Sequence, residues 1–280
     1  MDLTENTRRE SFPADADTTV HLHLEHADVV VRHEPTDTAT VTVSCREDVP
    51  LDAVELTTAG RDITVRVPPI EVDPSRRGPS IDLGFMKLSL GGARVKGLLV
   101  EVVLPEGAGV MVAAKSGDTR IEGRCGRARV RTGKGDLHAE SVDLLEAGHG
   151  SGDIDVRDVG ELKVMGGAGD VTVDRIREGG NIRSGVGELT LRHVSGNLET
   201  SSGSGGVRVG LFDGGTLTVR AASGDVTVGL PTGVPIWQDL QSMSGDVRAD
   251  LQSAGQPVEG EAFITVRAST ASGDIRLHNA

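Results

Sequence analysis

The sequence predicts an all-β protein: a single-stranded parallel β-helix, or solenoid, with coils of 17–18 residues and an N-terminal β capping region. Three observations predict it. Glycine supplies 38 of 280 residues, about twice the usual ~7 %. Aromatics shrink to four Phe and one Trp, with no Tyr. The apolar content is then mostly Val, Leu, Ile and Ala, small side chains that suit stacked strands. The third observation is a repeat, in which a Gly-acidic pair precedes alternating apolar residues.

The repeat reads GDTRI from Gly117, GDLHA from Gly135, GDIDV from Gly152 and GDVTV from Gly169. It continues as GELTL from Gly187, GGVRV from Gly205, GDVTV from Gly224, GDVRA from Gly245 and GDIRL from Gly273. The glycine spacings are 18, 17, 17, 18, 18, 19, 21 and 28 residues. A weaker series lies between them, with GRARV from Gly126, GELKV from Gly160, GNLET from Gly196 and GTLTV from Gly215. In Val171-Thr172-Val173 the apolar residues are two apart and share one strand face. The glycine supplies the freedom to turn a corner, and the following carboxylate can satisfy its own turn amides. Stacked at ~4.8 Å, nine such coils make a rod on the order of 43 Å long. An antiparallel meander would instead favour two-residue Asn-Gly or Asp-Gly turns without an identical ladder.

The other elements follow in order. Residues 1–17 read as a flexible N-terminus. Residues 18–67 read as strands that continue or cap the solenoid: 18–33, 38–46 and 62–67 alternate, with turns at Ala27-Asp28 and Pro50-Leu51-Asp52. They carry none of the Gly-acidic period. Residues 68–97 form a Pro/Gly-rich insertion. Within it Phe85, Met86, Leu88 and Leu90 lie close together, flanked by Arg76, Arg77, Lys87, Arg94 and Lys96. A contact with a partner or a lipid headgroup surface and a core role over the solenoid end both stay open. LLVEVVLP at 98–105 resumes as a buried strand, and the solenoid occupies 98–280.

With the lead-in SFPADADTTVHLHLEHADVVVRH and LLVEVVLPEGAGV before KSGDTRI, the ladder resembles the putative-adhesin family of bacterial β-strand-repeat proteins, also called Toastrack domains. The resemblance spans about residues 11–280 and rests mostly on the SGD-type tripeptides at Ser116, Ser151, Ser223, Ser244 and Ser272. It implies a right-handed β-helix and an accessory or sensor role in envelope-stress systems with membrane partners. It carries over no catalytic residue.

Candidate chemistry is sparse. Asp118, Asp136, Asp153, Asp170, Glu188, Asp225, Asp246 and Asp274 form a column that could be a cation ladder or a set of satisfied turns. Hard cations need six to eight oxygens. The calcium-roll nonapeptide is absent, because the half-period sites hold Arg127, Glu161, Asn197 and Thr216. His21 and His23 share a strand face near His26, with Leu22 and Leu24 inward; a metal pair or a wet strand face fits this. Cys125 sits beside Arg124 and Arg127, which could lower its pKa, but no base accompanies it. The carboxylate pair of a polysaccharide-cleaving β-helix would need long cleft-walling loops and aromatic platforms, and Trp237 is the only Trp. No glycine-rich stretch is followed by the Lys-Ser/Thr of a phosphate loop.

The net charge of −13 opposes nucleic-acid binding. No apolar run spans a membrane, the start lacks a signal-like apolar region, and two distant cysteines imply no disulfide framework. These point to a cytoplasmic location. The expectation is a non-enzymatic interaction or scaffolding module, without cofactor, metal or small-molecule substrate. It would bind a protein partner, a membrane-associated one included, or associate with itself. A self-assembling bactofilin-like scaffold and a surface adhesin or polysaccharide-active enzyme are the other classes. The chain ends five residues after Ile275 without a polar cap, and an uncapped end invites edge pairing with another copy, unless Thr232 to Trp237 and the longer 21- and 28-residue coils fold back as a cap.

Overall fold

A computed structural model describes residues 6–45, 51–67, 80–82, 87–89, 97–252 and 263–280. In chain order, β1 (Asn6–Pro13), β2 (Thr19–His26), β3 (Asp28–Glu34) and β4 (Thr38–Cys45) precede a 3₁₀ turn at Leu51–Ala53. Next come β5 (Glu55–Ala59), β6 (Asp62–Arg66), the short β7 (Ser80–Asp82) and β8 (Lys87–Ser89), and β9 (Leu98–Pro105). The repeat region holds β10 (Gly109–Ser116), β11 (Thr119–Lys134), β12 (Leu137–Ser151), β13 (Ile154–Ala168) and β14 (Val171–Val186). It ends with β15 (Leu189–Val194), β16 (Asn197–Ser204), β17 (Val207–Phe212), β18 (Thr216–Ser223), β19 (Val226–Leu230), β20 (Ile236–Ser242), β21 (Val247–Asp250), β22 (Ile264–Ser272) and β23 (Ile275–Asn279). The described residues contain no α-helix.

The strands stack in two parallel ladders joined at the Gly-acidic corners. One ladder runs β6, β2, β10, then the second halves of β11–β14, then β16, β18, β22 and β20. The other runs β9, β3, the first halves of β11–β14, then β15, β17, β19, β23 and β21. The Gly-acidic strands build the second ladder, and the weaker half-period series builds the first. With two levels more than the nine predicted coils, the rod is about 53 Å long.

Three sets of inward columns form the core. Val171 and Val173, both fully buried, lie in register with Ile154 and Val156 below and Leu189 and Leu191 above. Val110, Ala128, Leu145 and Leu162 form a column in the facing ladder. A third column fills the far corner with Cys125, Val142, Val159, Ile176, Val194 and Phe212. Each fully buried Val or Leu contributes about 1.5–3 kcal/mol relative to exposure.

The structure changes two expectations. Residues 1–17 include an ordered strand, since β1 pairs along its length with β4, antiparallel. The last two coils are also reversed in space. β22 pairs with β18 on one side and β20 on the other, and β23 lies likewise between β19 and β21. The coil made by 236–250 is therefore the outermost one, and the later coil 264–279 is inserted beneath it. Sequence spacing alone is blind to this, because every coil offers the same parallel edges.

The two ends differ. At the N-terminal end β4 covers β9, β1 covers β4, and β5 covers β6, all antiparallel. Ile63 and Val65 of β6 are buried, as are Leu51 and Val54. Arg8 fastens this end, its Nη1 donating to the carbonyls of Val54 at 2.6 Å and Leu51 at 3.3 Å.

Candidate functional site

The acidic column is a ladder of inter-coil hydrogen bonds. The backbone N–H of Asp136 donates to the Asp118 carboxylate at 2.9 Å. Asp153 donates to Asp136 at 2.8 Å, Asp170 to Asp153 at 2.9 Å, and Glu188 to Asp170 at 2.8 Å. Each carboxylate thus accepts from the next coil, where a bond to its own turn was expected. The ladder begins one coil earlier than the Gly-acidic period shows, because Asp118 N–H donates to Asp28 at 3.0 Å. It breaks at Gly206, which has no side chain, and resumes where Asp274 donates to Asp225 and Asp246 to Asp274, each at 2.8 Å. The spatial order 225, 274, 246 records the coil reversal.

Gly117, Gly135, Gly152, Gly169, Gly224, Gly245 and Gly273 sit at these corners with positive φ. A second glycine column, two residues before each corner, escaped the sequence reading: Gly133, Gly150, Gly167, Gly185 and Gly203. A Cβ on Gly150 would lie 2.5 Å from the Gly133 carbonyl oxygen, so successive backbones touch here. The Gly-x-Gly-acidic spacing of TGKGD, GSGD and GAGD was the signal that could have found it.

The other candidates resolve individually. Leu22 and Leu24 are buried, and His21 and His23 point away from them. His21 Nε2 lies 3.2 Å from Asp62, and His26 Nδ1 lies 2.6 Å from the Ser116 hydroxyl. Among the described residues no three His, Cys, Asp or Glu side chains are grouped to hold a metal ion. Cys125 is fully buried, its thiol donates to the Ala108 carbonyl at 3.5 Å, and burial pushes its pKa up to about 12. The neighbouring arginines do not activate it; it is the small first member of the third core column. Of the contact-loop residues, Phe85, Met86 and Leu90 lie outside the described residues, and Leu88 falls on β8, which pairs with β7.

Two buried histidines were not singled out. His33 places Nε2 3.1 Å from the Ala108 carbonyl and Nδ1 3.2 Å from the Glu122 carbonyl. Burial lowers its pKa, and the two carbonyls and Glu106 oppose that. His149 is buried with neither ring nitrogen in a hydrogen bond, and burial lowers its pKa too. Its ring covers the space above Gly166, where a Cβ would approach Cε1 to 2.9 Å. It lines an open, largely apolar groove of about 690 Å³ with Leu24, Ala113, Arg131 and the exposed Met165. A more polar hollow of about 560 Å³ marks the ladder break at Gly206, beside Glu188, Arg208 and Asp225.

The broadest departure from a closed surface is the outermost coil. Val247 and Ala249 continue the inward columns of Ile275 and Leu277, which are fully buried, yet both are exposed, Val247 at 44 %. Trp237, Met243 and Phe263 are exposed beside them, with Arg267 stacked 5.3 Å from the Trp237 ring centre. One long side of β20 and of β21 has no strand partner among the described residues. This end thus presents two bare edges and open apolar columns.

The family comparison agrees with this architecture. The profile of the Toastrack DUF4097 family matches residues 18–278. No curated protein matches the chain. Among solved structures, the chain is similar to a putative adhesin from Bacteroides fragilis at 12 % identity and TM-score 0.44, covering 97 % of both chains. It is similar also to a putative lipid binding protein from Parabacteroides distasonis at 14 % identity and TM-score 0.44, covering 96 % of both chains.

Proposed function

The chain belongs to the Toastrack DUF4097 family, and from that premise we propose that it is a non-enzymatic interaction module whose docking surface is the outermost coil, residues 236–250. The observation that carries this reading is the contrast between the ends. Val100 and Val102 of β9 are fully buried beneath β4 at one end, while Val247 and Ala249, at the same register positions of that ladder, are exposed at the other. A rigid rod with one finished end presents the unfinished end in a fixed orientation. Binding there gains apolar burial and strand-edge hydrogen bonds together.

The proposal extends to context. The protein works in the cytoplasm as an accessory of envelope-stress signalling, with a protein partner that can itself be membrane-associated. Two free, buried cysteines suit a reducing compartment. The test is a photo-crosslinking residue at Met243, with Thr57 at the opposite end as control, in cells that carry the gene. Adducts from Met243 and none from Thr57 are expected. Adducts from neither position, or from Thr57 alone, would refute the reading. Fractionation of the same cells tests the location.

A further inference from the structure

We infer that the partner of the outermost coil is a second copy of this chain, and that two rods join through these ends into a closed, reversible dimer. The inference rests on the interaction reading above and names its occupant.

The asymmetry of the rod selects this geometry. A head-to-tail contact needs complementary open apolar columns, and at the N-terminal end these columns are covered, although β1 and β5 keep outer edges without a strand partner among the described residues. There the inward residues Ile63 and Val65 are covered, and Arg8 ties β1 to the carbonyls of Leu51 and Val54. The N-terminal edge strand β1 also carries Arg8, Arg9 and Glu10, charges that discourage pairing. Only like ends can therefore satisfy each other, which requires a twofold axis perpendicular to the rod. Any such axis sets the facing edge strands antiparallel, a direction that strands pair in readily. Growth stops at two copies, so a filament is excluded.

The charge pattern is self-complementary. The coil carries Asp239, Asp246 and Asp250 with Arg248, and Arg276 reaches Asp250 from the coil beneath. Arg248 pairs with Asp246 at 2.9 Å within one copy, and both side chains are more than two-thirds exposed. Each is free to exchange partners with its symmetry mate.

Size sets the strength. A seven-residue strand spans about 23 Å, and facing sheets lie about 10 Å apart. The end face is then only a few hundred Å² per copy, below the ~800 Å² per partner typical of stable complexes. The dimer is expected to dissociate on dilution, with half-dissociation at roughly tens to hundreds of micromolar.

The experiment is light scattering and sedimentation equilibrium on the full chain over a wide concentration range. The mass is expected to rise with concentration and level at two chains. Val247→Lys, at a site already exposed, should hold the mass at one chain with an unchanged melt, and Thr57→Lys should leave the dimer intact. Spin labels at Met243→Cys should lie close together in the dimer, whereas labels at Thr57→Cys should lie on the order of 100 Å apart. Cys45 and Cys125 are buried and would not compete for label. A single-chain mass at every concentration, unlimited growth, or a dimer indifferent to Val247→Lys would each overturn the inference. A monomer that still forms Met243 adducts with another protein in cells would remove self-pairing and leave the interaction reading standing.

Discussion

At Gly152 the backbone φ is +135°, and a Cβ would stand 2.1 Å from the Gly135 carbonyl oxygen. Neither atom can retreat, because the carbonyl belongs to the rigid backbone of the coil below. Gly152→Ala is expected to cost several kcal/mol, seen as a lower denaturation midpoint. Gly60 also has positive φ, +65°, but nothing lies within 4 Å of its missing Cβ. Gly60→Ala should cost only about 1 kcal/mol. Equal losses at the two sites would remove inter-coil contact as the cause.

A second residue-scale prediction concerns pH. Burial holds the pKa of His33 and His149 below the ordinary value of 6.5. The unfolded chain then binds protons at these sites at a pH where the folded chain does not. Stability is retained above pH 6.5, falls as pH drops through 6.5, and levels below the folded-state pKa values. Melts should be flat well above pH 6.5 and decline as pH falls below it. The variant with His33→Gln and His149→Thr should lose most of that decline. A variant that declines as the parent does would assign the effect elsewhere.

Among the elements, the reversed coils make the sharpest test. β22 is hydrogen-bonded to β18 and to β20, whereas among the described residues β20 pairs only with β22. Amide exchange in monomer should therefore be slow in β22 and β23 and fast in β20 and β21. A chain that stacked its coils in sequence order would show the opposite, with 264–279 at the frayed end. The long strands β11–β14 turn a corner without ending, since their inward residues change from one column to the next. The alternation in 18–33 made β2 and β3 legible, but their place as a coil of the rod was not. Ala27-Asp28 lacks the glycine of the repeat, yet Asp28 supplies the first rung of the ladder.

At the scale of the whole molecule, a column of carboxylates in a chain of net charge −13 raises the question of cations. The hydrogen bonds answer for most of it, because rung after rung accepts a backbone N–H from the adjoining coil. A chelator or added calcium is expected to leave the melting temperature unchanged within about 1 °C. A rise of several degrees with calcium would show binding to the folded state and restore the cation ladder. The rod would then be a metal-dependent stack, not one held by core columns and glycine contacts.

By itself the sequence determined the solenoid, its 17–18-residue coil and the glycine corners, because period and alternation are local properties that repeat along the chain. It also marked Cys125 and the acidic column as features to explain, without saying which atoms they meet. The tertiary structure decided that Cys125 heads a core column and that each carboxylate serves the next coil. It decided, too, that β1 pairs with β4, that coil 264–279 slides beneath coil 236–250, and that, among the described residues, the inward columns are covered at one end and open at the other. The physical reason is common to all of these. Parallel coils present interchangeable edges, so what stacks on what is chosen by packing between residues distant in sequence, and no local pattern records that choice.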